Sequence, residues 1–266
     1  MYLRERAAGI SPTSPAGSRP DASPNAPVLL LIHGLGESGL CFEHLLDHPG
    51  THPWHLLIPD LPGYGRSPAP DRPPTLAGQA DHLAAWLHST GRGPLVVVGH
   101  SMGGVTGLLL CERHPHLAAA LINVDGNLSL ADCVYSGQAV DQNLDEFQRQ
   151  GFTDLREAIY RSGQNDPAQR GYYVSLRLCG ATQFHLNSTE LVEMSRREDL
   201  VTRLVNLPLP HLYLAGVPGG ISLRSRHLLA RARANWLAIE PSGHWPFIDQ
   251  PAAFVSRVDE FLSKLG

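Results

Sequence analysis

The chain has 266 residues, of which 42% are hydrophobic and 17% charged, a balance that supplies a substantial buried core. The formal net charge is -4 with no long run of one sign, so the basic stripe of a nucleic-acid binder and the polybasic patch of a membrane anchor are both absent. No apolar run approaches the length of a membrane span, and a cytoplasmic location is expected.

Residues 1–27 read as a flexible leader. Ser11 to Pro27 is dominated by Ser, Pro, Ala and Gly and has neither the charged nor the apolar part of a signal peptide. Val28 to Ile32 is a short apolar run that ends at His33-Gly34 and predicts a buried strand. His55 to Pro59 predicts the next, followed by the turn-rich Asp60-Leu61-Pro62-Gly63-Tyr64-Gly65. Thr75 is placed to N-cap a helix that runs through Trp86 and Leu87 and stops at Gly91. Leu95 to Val98 is a third strand leading into Gly99, the pattern from Ser101 to about His114 is helical, and Leu121 to Val124 is a fourth strand. Short, uninterrupted apolar strands alternating with helices predict a parallel sheet covered on both faces.

The rhythm breaks between Asn127 and Asn206, where the signals are helical. Leu144, Phe147, Leu155 and Ile159 recur at helical spacing, with Gly151 dividing two helices. Asp166-Pro167 is a cap followed by a first-turn proline, and Asn187 with Glu190 fits a capping box ahead of Leu191 and Met194. Alternation resumes with a strand at His211 to Ala215, a helix around Arg226 to Arg233, a strand at Trp236 to Ile239 and a helix over about Ala252 to Leu265. The expected fold is α/β. A mostly parallel, doubly wound sheet is built from residues 28–126 and 207–266, and a helical insertion occupies 127–206.

The sharpest chemical signal is Gly99-His100-Ser101-Met102-Gly103, between a predicted strand and a predicted helix. A serine hydroxyl is a weak nucleophile unless it is exposed, held and offered a base, and a sharp strand-to-helix turn does the holding. Glycines two before and two after the serine let strand and helix approach each other, and the helix N-terminus presents free N–H groups to developing negative charge. His33-Gly34-Leu35-Gly36 ends the first buried strand. The N–H groups of Leu35 and Met102 are the candidate pair of donors for the oxyanion of an acyl-transfer intermediate. Ser242-Gly243-His244-Trp245-Pro246 follows the last strand and puts an imidazole in a loop bounded by Gly and Pro. Other histidines, such as His82, His88, His114 and His116, fall on helices or surface loops, and His100 is expected to point away from the serine. The 14 histidines contain no HExxH or tight His/Cys cluster, so neither a metal nor any other cofactor is expected. Cys41, Cys111, Cys133 and Cys179 are scattered and read as reduced packing thiols.

Taken together, HGLG after one strand, PDLPGYGRS after the next, GHSMGG at the sharp turn and SGHWP near the C-terminus resemble the α/β-hydrolase family. The resemblance covers about Val28 to Asp125 and Leu209 to Phe261. It implies a sheet of that type, with the insertion as the family's helical cap. It also implies a Ser, acid, His triad in chain order, giving Ser101 as nucleophile and His244 as general base. Asp60 matches the aspartate of the family's turn after the second strand, a structural position.

The acid departs from the family pattern. Many members carry it after the strand before the last, where this chain reads Gly216-Val217-Pro218-Gly219-Gly220, without a carboxylate. Glu240 and Asp249 flank the histidine loop and are badly placed to orient its far nitrogen. Asp125 ends the strand after the nucleophile helix, a position that resembles the acid site of some haloalkane dehalogenases and lipases. The two sites are neighbouring strand ends, so Asp125 is the expected acid. The alternatives are that Asp125 only caps the turn at Gly126, with Asp132 or Asp141 serving instead, or that the triad lacks its acid. Dehalogenases and epoxide hydrolases of the family use Asp as nucleophile, so Ser101 sets their chemistry aside.

In the insertion, some of Phe147, Phe152, Tyr160, Tyr172, Tyr173 and Phe184 are expected to line an apolar pocket, while most pack helices on the core. Arg156, Arg161, Arg170 and Arg177 are candidates for selecting an anionic substrate, against the usual solvated role of helix arginines. The expected activity is hydrolysis of a carboxylic ester, lactone or thioester of a small apolar substrate through an acyl-enzyme. C–C bond hydrolysis or lyase chemistry on the same residues is one alternative. A non-catalytic small-molecule receptor with a hydrolase fold is the other, supported by the missing acid at Gly216 to Gly220.

Overall fold

The computed structural model describes residues 1–9 and 26–265. Seven strands form one sheet in the order β1-β3-β2-β4-β5-β6-β7. They are β1 (Leu3–Arg6), β2 (Val28–Ile32), β3 (His55–Pro59), β4 (Leu95–His100), β5 (Ala118–Val124), β6 (His211–Pro218) and β7 (Trp236–Ser242). All neighbours are parallel except β1, which runs antiparallel to β3. Helices separate the parallel strands, as such crossovers require. Leu30, Val97 and Ile122, on three adjacent strands, are wholly buried. Each contributes on the order of 1.5–3 kcal/mol by leaving water.

Strand β1 corrects part of the leader reading, which extended over residues 1–27. Leu3 pairs with Pro59 and Arg6 with Leu56. The strand was hidden because its buried positions are arginines rather than apolar residues. Arg4 donates through Nη1 to Asp60 at 2.6 Å, and Arg6 donates to the carbonyl and hydroxyl oxygens of Thr51. The expectation for residues 10–25 lies outside the described residues.

The helix Leu76–Ser89 forms for the reasons its sequence gives. Thr75 accepts from Gly78 N–H at its start, Leu76, Ala80, Leu83, Ala84 and Leu87 form one buried stripe, and Gly91 turns the chain away at φ 64°. Met102–Arg113 packs beside it and under β4.

Between Val124 and His211 every described element is helical. Two local readings are corrected there. Gly151 does not divide two helices: its backbone is helical (φ -56°, ψ -37°) and ends a π-helical turn, Phe147–Gly151, that runs straight into Phe152–Ser162. Phe147 and Phe152, on either side of the turn, both stack with Phe184, so the core holds the helix continuous through the glycine. Asn187 is no cap. It lies inside Ala181–Arg196, where its amide donates to Pro74 O and its carbonyl accepts from Tyr64 Oη, tying the insertion to the sheet domain. Asp166 does cap Pro167–Leu176, accepting from Ala168 and Gln169 N–H. All four cysteines are buried free thiols, and among the described residues no helix is long and apolar enough to cross a membrane.

Candidate active site

The strand order places β2 beside β4, although β3 lies between them in the chain. In open α/β sheets, ligands bind at such a reversal, beyond the carboxyl ends of the strands. Ser101 stands there, directly after β4, with φ 54° and ψ -122°. A non-glycine residue held in this region costs on the order of 1–3 kcal/mol. It is held by its own N–H, which donates to Val124 O, and by its carbonyl, which accepts from Gly104 N–H. The flanking glycines are required sterically: a Cβ at Gly99 would stand 2.2 Å from Gly103 O, and one at Gly103 would stand 2.2 Å from Ile32 O.

The turn after β2 closes over the serine. A Cβ at Gly34 would lie only 3.1 Å from Ser101 Cβ. His33 pins the turn from below: Leu61 N–H donates to its Nε2, which leaves Nδ1 protonated and donating to Gly34 O. Burial pushes the His33 pKa down, in keeping with a neutral ring. Leu35 lines the cavity beside Ser101. Met102 opens the following helix, so its N–H has no carbonyl of that helix to bond.

Glu37, which the sequence reading did not single out, joins three segments of the site. Its Oε2 accepts from Gly34 N–H at 2.6 Å and from His100 Nδ1 at 2.9 Å, and its Oε1 accepts from the Trp245 indole at 2.5 Å. His100 also meets His244 O through Nε2 at 2.7 Å. Both ring nitrogens of His100 thus face oxygen atoms. Burial alone would raise the Glu37 pKa. The His100 charge, followed by the hydrogen bonds, outweighs burial and holds the carboxyl at about 2. The His100 ring thus bridges Glu37 and the His244 carbonyl and supports the histidine loop. The available signal was a carboxylate in a Gly-rich turn, His33 to Ser38, that had to be buried against the sheet.

His244 lies in the loop after β7 and lines the same cavity as Ser101. Its Nδ1 is 3.8 Å from Asp125 Oδ2. Asp125 ends β5 at φ 46° and is fully buried, with Oδ1 accepting from Gly216 N–H and Oδ2 unpartnered among the described residues. Burial pushes the Asp125 carboxyl up. Burial, then the His100 charge, pushes His244 down to about 3, although 25% of its side chain opens to the cavity. Among the described residues Ser101 Oγ has no hydrogen-bond partner. Ser101 and His244 therefore share one cavity, with Asp125 beside the histidine, and none of the three is hydrogen-bonded to another. The competing acids are engaged elsewhere: Asp249 accepts from Gly243 N–H and Ser242 Oγ, Asp132 caps the turn at Ser129, and Asp141 ends the helix Val134–Val140.

The cavity, about 470 Å³, lies between the strand ends and the insertion. Such a volume suits a small molecule. Val134 and Leu223, 60% and 76% exposed, are apolar residues of its outer rim. Of the six insertion aromatics weighed above Tyr172 alone reaches it, packed against Trp245 and against Tyr135, a seventh insertion aromatic that also lines the wall. Arg156, Arg161, Arg170 and Arg177 do not line it. Arg156 and Arg170 donate to backbone carbonyls, Arg161 pairs with Glu157, and Arg177 meets Tyr173 Oη. No group of His, Cys, Asp or Glu among the described residues is arranged to hold a metal ion.

A largely parallel sheet, a serine on a strained turn after its central strand, and a histidine loop after its last strand define an α/β hydrolase. The family model described as the alpha/beta hydrolase fold matches residues 27–208, and the chain belongs to that family. It is 28% identical over 251 residues to 2-succinyl-6-hydroxy-2,4-cyclohexadiene-1-carboxylate synthase of Pectobacterium atrosepticum, covering 91% of this chain and 96% of that protein. It is 26% identical over 260 residues to pimeloyl-[acyl-carrier protein] methyl ester esterase of Klebsiella pneumoniae, covering 90% and 94%. A shorter match, 40% identical over 108 residues and 40% of each chain, is to lipase LipV of Mycobacterium tuberculosis. Among solved structures, a thermophilic esterase from Thermogutta terrifontis superposes with a TM-score of 0.74 at 22% identity, covering 99% of this chain and 93% of that one. That likeness speaks for the fold.

Proposed function

We propose that this protein is a serine hydrolase that cleaves a carboxylic ester, lactone or thioester through an acyl-enzyme. The observation that carries the reading is the spare oxygen of Asp125, aimed at Nδ1 of the histidine that shares a cavity with Ser101. His244 Nε2 takes the Ser101 proton as Oγ attacks the carbonyl carbon. The tetrahedral oxyanion is received by the N–H groups of Leu35 and Met102, each donor worth on the order of 3 kcal/mol. Collapse breaks the bond to the leaving group, which takes the proton from His244. Water, deprotonated by the same ring, then attacks the acyl carbon, releases the acid and restores Ser101. Asp125 orients the ring and stabilises its cationic form. No step calls for a cofactor, and the substrate is a small molecule of largely apolar character.

The Klebsiella pneumoniae and Mycobacterium tuberculosis relatives, named as an esterase and a lipase, support this chemistry. The Pectobacterium atrosepticum relative, a synthase matched over a similar extent, favours a second reading, in which the same residues act on a C–C bond or as a lyase. The receptor reading loses its main support, since a carboxylate stands beside the Gly216 to Gly220 turn after all. Labelling with a fluorophosphonate probe, combined with turnover of short-chain p-nitrophenyl esters, tests the proposal. Labelling and turnover of the wild type, both abolished in S101A, are expected. A folded wild type that neither labels nor turns over any ester would overturn it.

A further inference from the structure

We infer that the cavity binds substrates bearing a carboxylate remote from the scissile bond, and that Arg226 is the residue that receives it. The inference takes the scissile bond from the ester-hydrolase reading and adds a substrate class.

The argument begins with the charges around the cavity. Its wall contains the carboxylates of Glu37, Asp132, Asp166 and Asp249. Each has donors of its own. Glu37 is held by Gly34, His100 and Trp245. Asp132 accepts from the N–H groups of Leu128, Ser129 and Ser222 and from Ser225 Oγ. Asp166 caps its helix, and Asp249 takes Gly243 N–H. Among the described residues, Arg226 is the one Lys or Arg side chain in the wall. It is half-buried, and among the described residues its buried Nε has no partner and no carboxylate lies within ion-pair distance of its guanidinium. Its neighbour Arg224, on the same helix, is by contrast paired bidentately with Glu198.

A guanidinium partly withdrawn from water with unused donors is costly until an acceptor arrives. The acceptor that fits its planar fork is a carboxylate or a similar oxyanion, bound through two parallel N–H bonds. Arg226 belongs to the helix Leu223–Arg231, which follows β6, and so it enters the cavity from the side of Asp125 and His244. An anion held there stands apart from the reacting carbonyl, with the apolar part of the substrate between the two.

Two measurements test this independently of each other. The first compares release of methanol from monomethyl glutarate and monomethyl adipate with release from the uncharged methyl valerate and methyl hexanoate. The ratio of kcat/KM, charged over neutral, is expected to be roughly tenfold or more, the scale of one charge-assisted pair, and to fall toward one in R226M. The second is calorimetric binding of monomethyl glutarate to S101A and to S101A/R226M, with an expected loss of about tenfold in Kd between them. Folding of each variant is checked by its thermal melt. Equal binding to both S101A proteins, or a preference for neutral or ω-amino esters, would overturn the inference. Turnover of all the esters without preference would do so while leaving the hydrolase reading intact. Arg226-dependent binding without any turnover would do the reverse.

Discussion

Asp125 Oδ2 stands 3.8 Å from His244 Nδ1 with no hydrogen-bond partner among the described residues, although Oδ1 of the same carboxylate is bonded to Gly216 N–H. A buried carboxylate with one oxygen spent on the backbone and the other left for an imidazole is placed to orient that ring. D125N keeps the shape and removes the charge. Turnover of an aryl ester is expected to fall by roughly three to four orders of magnitude, the scale seen when a triad acid is neutralised in a protease. Steady-state kcat on p-nitrophenyl butyrate, with circular dichroism to confirm folding, decides it. A change of less than about threefold would remove Asp125 from the mechanism.

The neighbouring turn is shaped around that carboxylate. A Cβ at Gly220 would stand 2.3 Å from Asp125 Oδ2 and 2.4 Å from Gly216 O. G220A is therefore expected to push the acid out of line as well as to strain the turn, and kcat is expected to fall by more than about tenfold. The companion D125N/G220A reads the coupling. If the alanine acts through the carboxylate, it adds little to a protein whose acid is already neutralised. A full additive loss in the double variant would instead assign the effect to backbone strain.

In the proposed mechanism His244 must be neutral to accept the serine proton. Burial, then the charge of His100, holds its pKa below the ordinary 6.5, at about 3. The sign follows: the acid limb of kcat/KM moves to lower pH, because the active form persists further down. An unshifted histidine would lose about tenfold in going to pH 5.5. Here the expected loss between pH 7.5 and 5.5 is less than about twofold. A pH profile in constant ionic strength reads it, and a limb at or above 6.5 would mean that an ionised Asp125 outweighs the burial of the ring.

Much of this was legible in the sequence because it is local. Val28–Ile32 and His55–Pro59 are unbroken apolar runs, and Thr75, Gly91, Asp166 and Pro167 punctuate helices by their own backbone preferences. The sharp turn at Ser101 was legible for the same reason: its glycines are demanded by contacts within a few residues of the serine, or by the strand beside it. What escaped depends on contacts distant in the chain. Strand β1 is built on Arg4, whose burial makes sense only beside Asp60, 56 positions away. Asn187 imitates a cap in sequence and is a tertiary clasp in space. Glu37 and Arg226 look like surface charges until the fold puts one against His100 and the other in the cavity wall.

Glu37 is the residue whose removal separates positioning from chemistry most cleanly, since it touches the serine turn, the oxyanion loop and the histidine loop without lining up as acid or base. Its pKa in the folded chain, about 2, lies below the ordinary 4.5. As the pH falls, the unfolded chain takes up the proton first. The stabilisation is therefore complete above 4.5 and drains away between 4.5 and 2. E37Q retains the shape but loses the charge and one of the two acceptors. The gap in Tm between wild type and E37Q is expected to be widest above pH 4.5 and to narrow as the pH is lowered from there. A gap independent of pH would show that the charge of Glu37 contributes nothing and that only its packing matters. On activity, loosening His100 frees the carbonyl of His244, so kcat is expected to fall by roughly tenfold with KM changed less, and E37A, which empties the site, is expected to be worse than E37Q.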